Sequence, residues 1–190
     1  AMLTAAHSLD AARGTASLVL FGAFAVAFAI KVPLFPLHTW QPDAYSESPV
    51  SATVMLAAVL SKMGLYGFIR FAIPFFPKAA AYLAPIFITL GIIAVIYGAM
   101  VAIRQTDFKR LLAYSSVSHL GLIVLAIFAA TLASQYGEIA LSGAVLQMLA
   151  HGVAVAALFL LMEALQQRRG TREISQFGGL ARRMPFFTAL

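Results

Sequence analysis

Five apolar stretches, at about residues 15–43, 50–73, 81–103, 109–131 and 138–165, dominate this chain of 190 residues. Each is at least as long as the roughly 20 residues that a helix needs to cross the hydrocarbon core of a bilayer. They are apolar most of the way round rather than along one stripe, which is the pattern of helices packed in lipid. Lipid offers the backbone no hydrogen-bond partner, so helices and closed barrels are the spanning structures open to such a chain. The alternating segments of a barrel strand are absent from it. The expected fold is all-α, a polytopic transmembrane helix bundle.

Composition agrees. Hydrophobic residues make up 62% of the chain and charged residues 11%, with a mean hydropathy of +0.90. Soluble domains carry about 45–50% apolar and about 25% charged residues. There is no cysteine, which excludes a disulfide framework, a thiol nucleophile and an iron–sulfur site. The net charge of +6 comes from residues at the ends of the stretches, so it speaks of topology rather than of nucleic acid. With loops on alternate sides, Arg104, Lys109, Arg110, Arg168, Arg169, Arg172, Arg182 and Arg183 share one side. Arg13, Arg70 and Lys78 take the other, and the richer side is predicted cytoplasmic. The chain opens on Ala1, and Met184 starts a sixth apolar stretch that runs to Leu190. Residues 1–190 therefore read as one membrane-domain fragment, an interior piece of a longer protein.

The first stretch is interrupted by Lys31-Val32-Pro33 and Leu34-Phe35-Pro36. Two prolines three residues apart remove backbone donors and clash with the preceding turn. A break is expected over 32–36, at mid-membrane depth, followed by a half-helix over about 37–45. Irregular backbone at that depth is tolerated where protein buries it or where it lines a wet cavity, and transporters place ion sites at such breaks. Pro74 and Pro77 are expected to end the second stretch, in which Gly64 and Gly67 permit a close helix contact.

Four titratable residues lie near the middle of four stretches: Lys31, Lys62, His119 and His151. Such a group costs on the order of 3 kcal/mol at the bilayer centre even on lenient scales. A lysine near a helix end escapes by snorkelling, and a lone histidine can simply bond a neighbouring helix. Four at one depth read together as a proton-relay row, for which histidine is suited by its titration range. His38, after the break, and Ser115, Ser118 and Gln147 are candidate supports of a water wire, with Ser116 in the same polar patch. No two histidines share a helix face and no carboxylate joins them, which argues against a metal site. His7 is expected outside the membrane, and Trp40 and Tyr45 fit an interfacial belt. Glu163 is expected at the interface near Arg168. Asp107 is expected to cap the next helix and to pair with Lys109 and Arg110. No flavin, nicotinamide or cluster motif is present, since Gly178-Gly179 alone is not a phosphate loop; no catalytic or cofactor-binding residue is assigned.

The stretch Lys31-Val-Pro-Leu-Phe-Pro-Leu-His-Thr-Trp-Gln-Pro-Asp-Ala44 resembles the broken-helix motif of the antiporter-like membrane subunits of respiratory complex I, NADH:quinone oxidoreductase. Leu56-Ala-Ala-Val-Leu-Ser-Lys-Met-Gly64, Gln105-Thr-Asp-Phe-Lys-Arg110, Tyr114-Ser-Ser-Val-Ser-His-Leu-Gly121, Gly143-Ala-Val-Leu-Gln-Met-Leu-Ala-His-Gly152 and Thr171-Arg-Glu-Ile174 are similar to its subunit M (subunit 4) line. The resemblance implies an antiporter-like half-repeat that moves protons while electrons pass from NADH to quinone in other subunits of the complex. It implies that flavin, iron–sulfur clusters and quinone belong to those subunits, and that this chain's partners are other membrane subunits, lipid, protons and internal water. The implied setting is a bacterial cytoplasmic membrane. Lys31 would be the lysine beside the break, paired in the family with a glutamate two helices earlier. Lys62 would be the central connecting lysine, and His119 and His151 would extend the axis. Mrp-type cation/proton antiporters and the membrane subunits of hydrogenases and formate hydrogenlyases share the broken helix and form the alternative. Tyr45 and Ser48-Pro49-Val50-Ser51 depart from the family's usual His and Ala-Pro-Thr, in a loop where little effect is expected.

Overall fold

A computed structural model describes residues 14–133 and 135–179. His7, Arg13, Arg182, Arg183 and the stretch 184–190 lie outside the described residues. The helices are α1 (Gly14–Lys31), α2 (Trp40–Glu47), α3 (Val50–Phe75), α4 (Pro77–Ile103), α5 (Phe108–Leu132) and α6 (Gly137–Arg169), followed by a 3-10 turn over Ile174–Gln176. Among the described residues, α1, α3, α4, α5 and α6 are long and apolar enough to cross a membrane. The fold is an all-α bundle with one interrupted crossing.

The interruption is built by local chemistry. At the end of α1 the amide of Leu34 reaches back five residues to the Ala29 carbonyl, at 3.0 Å. That leaves the Ile30 carbonyl without its helical partner. The indole of Trp40, at the start of α2, donates to it across the break at 3.1 Å. Trp40 therefore staples the two half-helices together across the break. Tyr45 departs from the interfacial belt expected of it: it is 1% exposed and packs edge-on against Phe159 of α6. The position treated as a tolerant loop is a core position of α2.

Prolines act at both helix ends that follow. Pro74 lies in the last turn of α3, and Pro77 opens α4, where a missing amide is no loss because first-turn amides have no helical partner. α6 runs on through Arg169, and Gly170 stops it at φ 72, the left-handed conformation that glycine adopts without strain. α3 is not uniformly α-helical. Met55–Leu60 and Phe68–Ala72 are π-helical turns on either side of Ser61–Gly67.

α5 is the central helix: 56% of its apolar window is buried, against 22–39% for the others. α4 lies against it backbone to backbone. A Cβ on Gly98 would stand 2.7 Å from the Ser118 amide nitrogen, and one on Gly91 would stand 2.9 Å from the Gly121 carbonyl oxygen. Gly64 does the same for α3 and α1, where a Cβ would meet the Phe28 carbonyl oxygen at 2.9 Å.

Three loops meet on the basic side. Asp107 caps α5 as expected, accepting from the Arg110 amide at 3.1 Å. Its ion-pair partner differs from expectation: Arg172, at 3.2 Å. Arg110 pairs instead with Asp43. Lys109, one helical step round, points into the protein and meets Glu163 of α6 at 3.7 Å, with side chains 6% and 22% exposed. Glu163 therefore faces Lys109 rather than the open interface. These pairings place the ends of α2, α5 and α6 at one end of the bundle, as the alternation of loops requires.

Candidate functional site

Two apolar clusters of buried residues fill the bundle, and the ionisable residues fall between them. Along α3, Ala57 belongs to one cluster and Leu65 to the other, with Lys62 between. Along α5, Ala113 belongs to the first cluster and Val117 and Leu120 to the second, with His119 at the near edge of the second. Along α6, His151 is flanked by Val155 of the first cluster and Met148, packed on the second. The result is a polar layer across the bundle with apolar packing on both sides.

Within that layer the side chains touch. Lys62 Nζ lies 2.7 Å from His151 Nδ1, linking residues 89 apart in sequence. It also donates to the Ala57 carbonyl oxygen, five residues back, at 2.7 Å. Ala57 stands in the first π-helical turn, and its carbonyl also accepts from the Ser61 hydroxyl at 3.0 Å. π-Helical turns are common at functional sites because they re-aim side chains and carbonyls. The His151 ring then lies 5.4 Å, centroid to centroid, from that of His119. Gln147, one turn before His151 on α6, holds its amide nitrogen 3.4 Å from His119 Nδ1. Three of the four residues of the expected row, together with Gln147, thus form one connected line. His151 is buried, Lys62 half-buried and His119 exposed on the flank of the bundle.

Lys31 stands apart. It is exposed at the end of α1, beside the break, and forms no hydrogen bond or ion pair among the described residues. The supports of the wire divide. Ser118 donates to the Val95 carbonyl of α4 at 2.9 Å, so its hydroxyl holds the α4–α5 contact instead of facing the line. Ser115 makes no side-chain hydrogen bond among the described residues. Ser116 is the buried one, with an unpartnered hydroxyl three residues before His119 and therefore on the same face. His38 is buried among the rings of Phe35, Tyr97 and Tyr114, with Nδ1 unpartnered. Gln41, which sequence reasoning passed over, is fully buried one turn further on, and its amide is unpartnered. The signal for Ser116 and Gln41 was their spacing, at i−3 from His119 and i+3 from His38.

Chemically, an ammonium and two imidazoles in line can hand a proton along by short hops, with the Gln147 amide orienting the His119 ring. Each imidazole accepts at one ring nitrogen and releases at the other. A groove of about 560 Å³ between α3 and α6 opens beside Lys62, lined by apolar groups such as Met63, Tyr66, Met148 and Val153. Among the described residues no cluster of histidines and carboxylates is arranged to hold a metal ion.

Comparison with known proteins sets this geometry among relatives. The family model described as NADH:quinone oxidoreductase/Mrp antiporter, transmembrane, matches residues 2–190. NADH-quinone oxidoreductase subunit M of Pseudomonas aeruginosa is 47% identical over 173 residues, which is 91% of this chain and 33% of that protein. The chain thus spans about a third of the length of the curated relatives it matches. Among solved structures, respiratory complex I from Thermus thermophilus contains a chain 39% identical at a TM-score of 0.83, matched over 92% of this chain and 36% of that one. An archaeal membrane-bound sulfane sulfur reductase contains one 30% identical at a TM-score of 0.85, matched over 99% and 38%.

Proposed function

The chain belongs to the NADH:quinone oxidoreductase/Mrp antiporter transmembrane family, and from that membership we propose that it is the relay segment of a proton-translocating membrane subunit of respiratory complex I. The observation that carries this reading is the 2.7 Å contact between Lys62 and His151, extended by His119. An ionisable lysine inside a membrane bundle is costly, and residues of this kind mark proton and ion pathways. Lys62 is the switch: its charge sets whether His151 accepts or donates. His119 and Gln147 carry the path toward the flank, and Lys31 receives protons beside the break. Oxidation of NADH and reduction of quinone take place in partner subunits, which hold the flavin and the iron–sulfur clusters. The subunit resides in a bacterial cytoplasmic membrane with its basic side toward the cytoplasm.

The test is Lys62→Ala in the complete complex, reconstituted in vesicles. The expected result is an assembled complex that passes electrons with little proton movement. Wild-type proton translocation by a fully assembled variant overturns the relay. The likeness to the sulfane sulfur reductase favours a second reading, in which a relay of the same kind serves a different membrane complex, of hydrogenase or Mrp-antiporter type. The higher identity to subunit M favours the first. The subunits that copurify with the full-length protein decide between them: NADH-oxidising chains for the first reading, small antiporter or hydrogenase chains for the second.

A further inference from the structure

α2 is a short helix with a weak end of its own. It has eight residues, no basic residue in its last turn, and an extended Ser48 in place of a capping glycine. A helix this short is not self-sustaining, and its last carbonyls need partners from elsewhere. They find them on three other elements. The Thr53 hydroxyl of α3 takes the Tyr45 carbonyl at 3.1 Å. Lys109 of α5 approaches the Ser48 carbonyl at 3.5 Å. Arg172, in the segment after α6, donates from Nη1 to the Ser46 carbonyl at 2.6 Å.

The last contact is the most built of the three. Arg172 also pairs through Nε with Asp107 at 3.2 Å, so its planar fork is fixed from both edges. Its own backbone is tied down as well. The Phe108 amide donates to the Arg172 carbonyl at 3.1 Å, the Ile174 amide donates to the Thr106 carbonyl at 2.9 Å, and Asp107 and Glu173 form an antiparallel bridge. Phe177 closes the segment edge-on against Phe108, 5.3 Å between ring centroids. Residues 171–177 are thus a strap laid across the start of α5, with one side chain reaching over to the end of α2. A cation there also opposes the negative end of the helix dipole.

We propose that Arg172 is a positioning residue for the broken crossing: the strap holds the half-helix that follows the break, and through it the seating of His38 and Gln41. This rests on the relay reading for its consequence, though not for its geometry. His38 lies just before α2, its carbonyl accepting from the Gln41 amide at 3.0 Å, and both side chains carry unpartnered buried polar atoms, so a loosened α2 alters the polar surroundings of the break while leaving Lys62 and His151 on their own helices.

The experiment uses the complete complex, with hydrogen exchange of the segment 40–48 measured beside proton yield per electron. Arg172→Gln is expected to speed exchange in 40–48 roughly tenfold, the low end for a lost charge-assisted hydrogen bond, with the α4 segment 86–100 unchanged. Proton yield is expected to fall at least twofold at preserved electron flow, with partial recovery in Arg172→Lys. Phe177→Ala, which removes the ring contact with Phe108 that closes the strap, gives the same pattern more weakly and serves if the arginine variant assembles poorly. Unchanged exchange in 40–48 overturns the proposal, as does an equal rise in α4. Full proton yield from a complex with a loosened 40–48 overturns the positioning role. Lys62→Ala is the control: it leaves exchange in 40–48 at the wild-type rate, so failure of the relay and failure of the strap register separately.

Discussion

Lys62 Nζ has two partners at 2.7 Å, a carbonyl of its own helix and an imidazole of another, and the contrast with Ser118 shows how a residue's partner decides its role. Both residues were legible in the sequence as polar groups within apolar stretches. Their partners were not, because a hydroxyl in a membrane helix bonds whichever carbonyl the packing brings near. For Ser118 that is Val95. The expected outcome at this scale is a split. His151→Gln keeps an amide within reach of Lys62 but removes the titrating ring, so proton translocation falls on the order of tenfold or more while the complex assembles. Ser118→Ala loses one packing bond, about 1 kcal/mol, and keeps proton translocation within about twofold. Vesicle acidification driven by electron flow measures both. Equal loss in the two variants removes His151 from the line.

At the scale of the element, the broken crossing was readable because two prolines leave a helix no alternative. The trimming of its second half, which begins at Trp40 rather than near 37, was not. That start depends on the Trp40 indole finding the stranded Ile30 carbonyl, ten residues back and across the irregular segment 32–39. The π-helical turns on either side of Lys62 have no signature in side-chain periodicity. The α4–α5 contact is the opposite case, since glycines at 91 and 98 announce a close approach. Gly98→Val is expected to destabilise by about 1–3 kcal/mol, as overpacking does, because the atoms in its way are the Ser118 amide nitrogen and the Tyr114 carbonyl oxygen at 2.7 and 3.0 Å. Gly143→Ala, with nothing within 4 Å, is expected to hold or gain stability. The thermal midpoint of the detergent-solubilised complex reads both, and an undiminished midpoint for Gly98→Val contradicts the packing.

At the scale of the whole molecule, the ends of α2, α5 and α6 are joined by charge. The pair Lys109–Glu163 is largely buried, so removing one partner strands the other. Glu163→Gln is expected to cost about 3 kcal/mol, and the double replacement Lys109→Met with Glu163→Leu less than that single change. Asp43→Asn, at the exposed pair with Arg110, is expected to cost under about 1 kcal/mol and to matter less still in high salt. A double-mutant cycle on thermal stability checks the first pair, and additivity of its single changes contradicts the coupling.

The sequence by itself determined that this chain is a bundle of membrane-crossing helices, that one crossing is broken, which loops carry the basic residues, and which ionisable residues fall inside the apolar stretches. All of these follow from length, hydropathy, proline and the placement of charge along the chain, properties that need no knowledge of which helices touch. The tertiary structure alone decided that Lys62 meets His151 and His119 while Lys31 stands apart. It also decided that Asp107 turns to Arg172 and Lys109 to Glu163, and that Tyr45 is core rather than belt. The physical reason is the same in each case. Which face a helix turns inward depends on how its neighbours pack against it, and a helix that is apolar all round carries no stripe to say so.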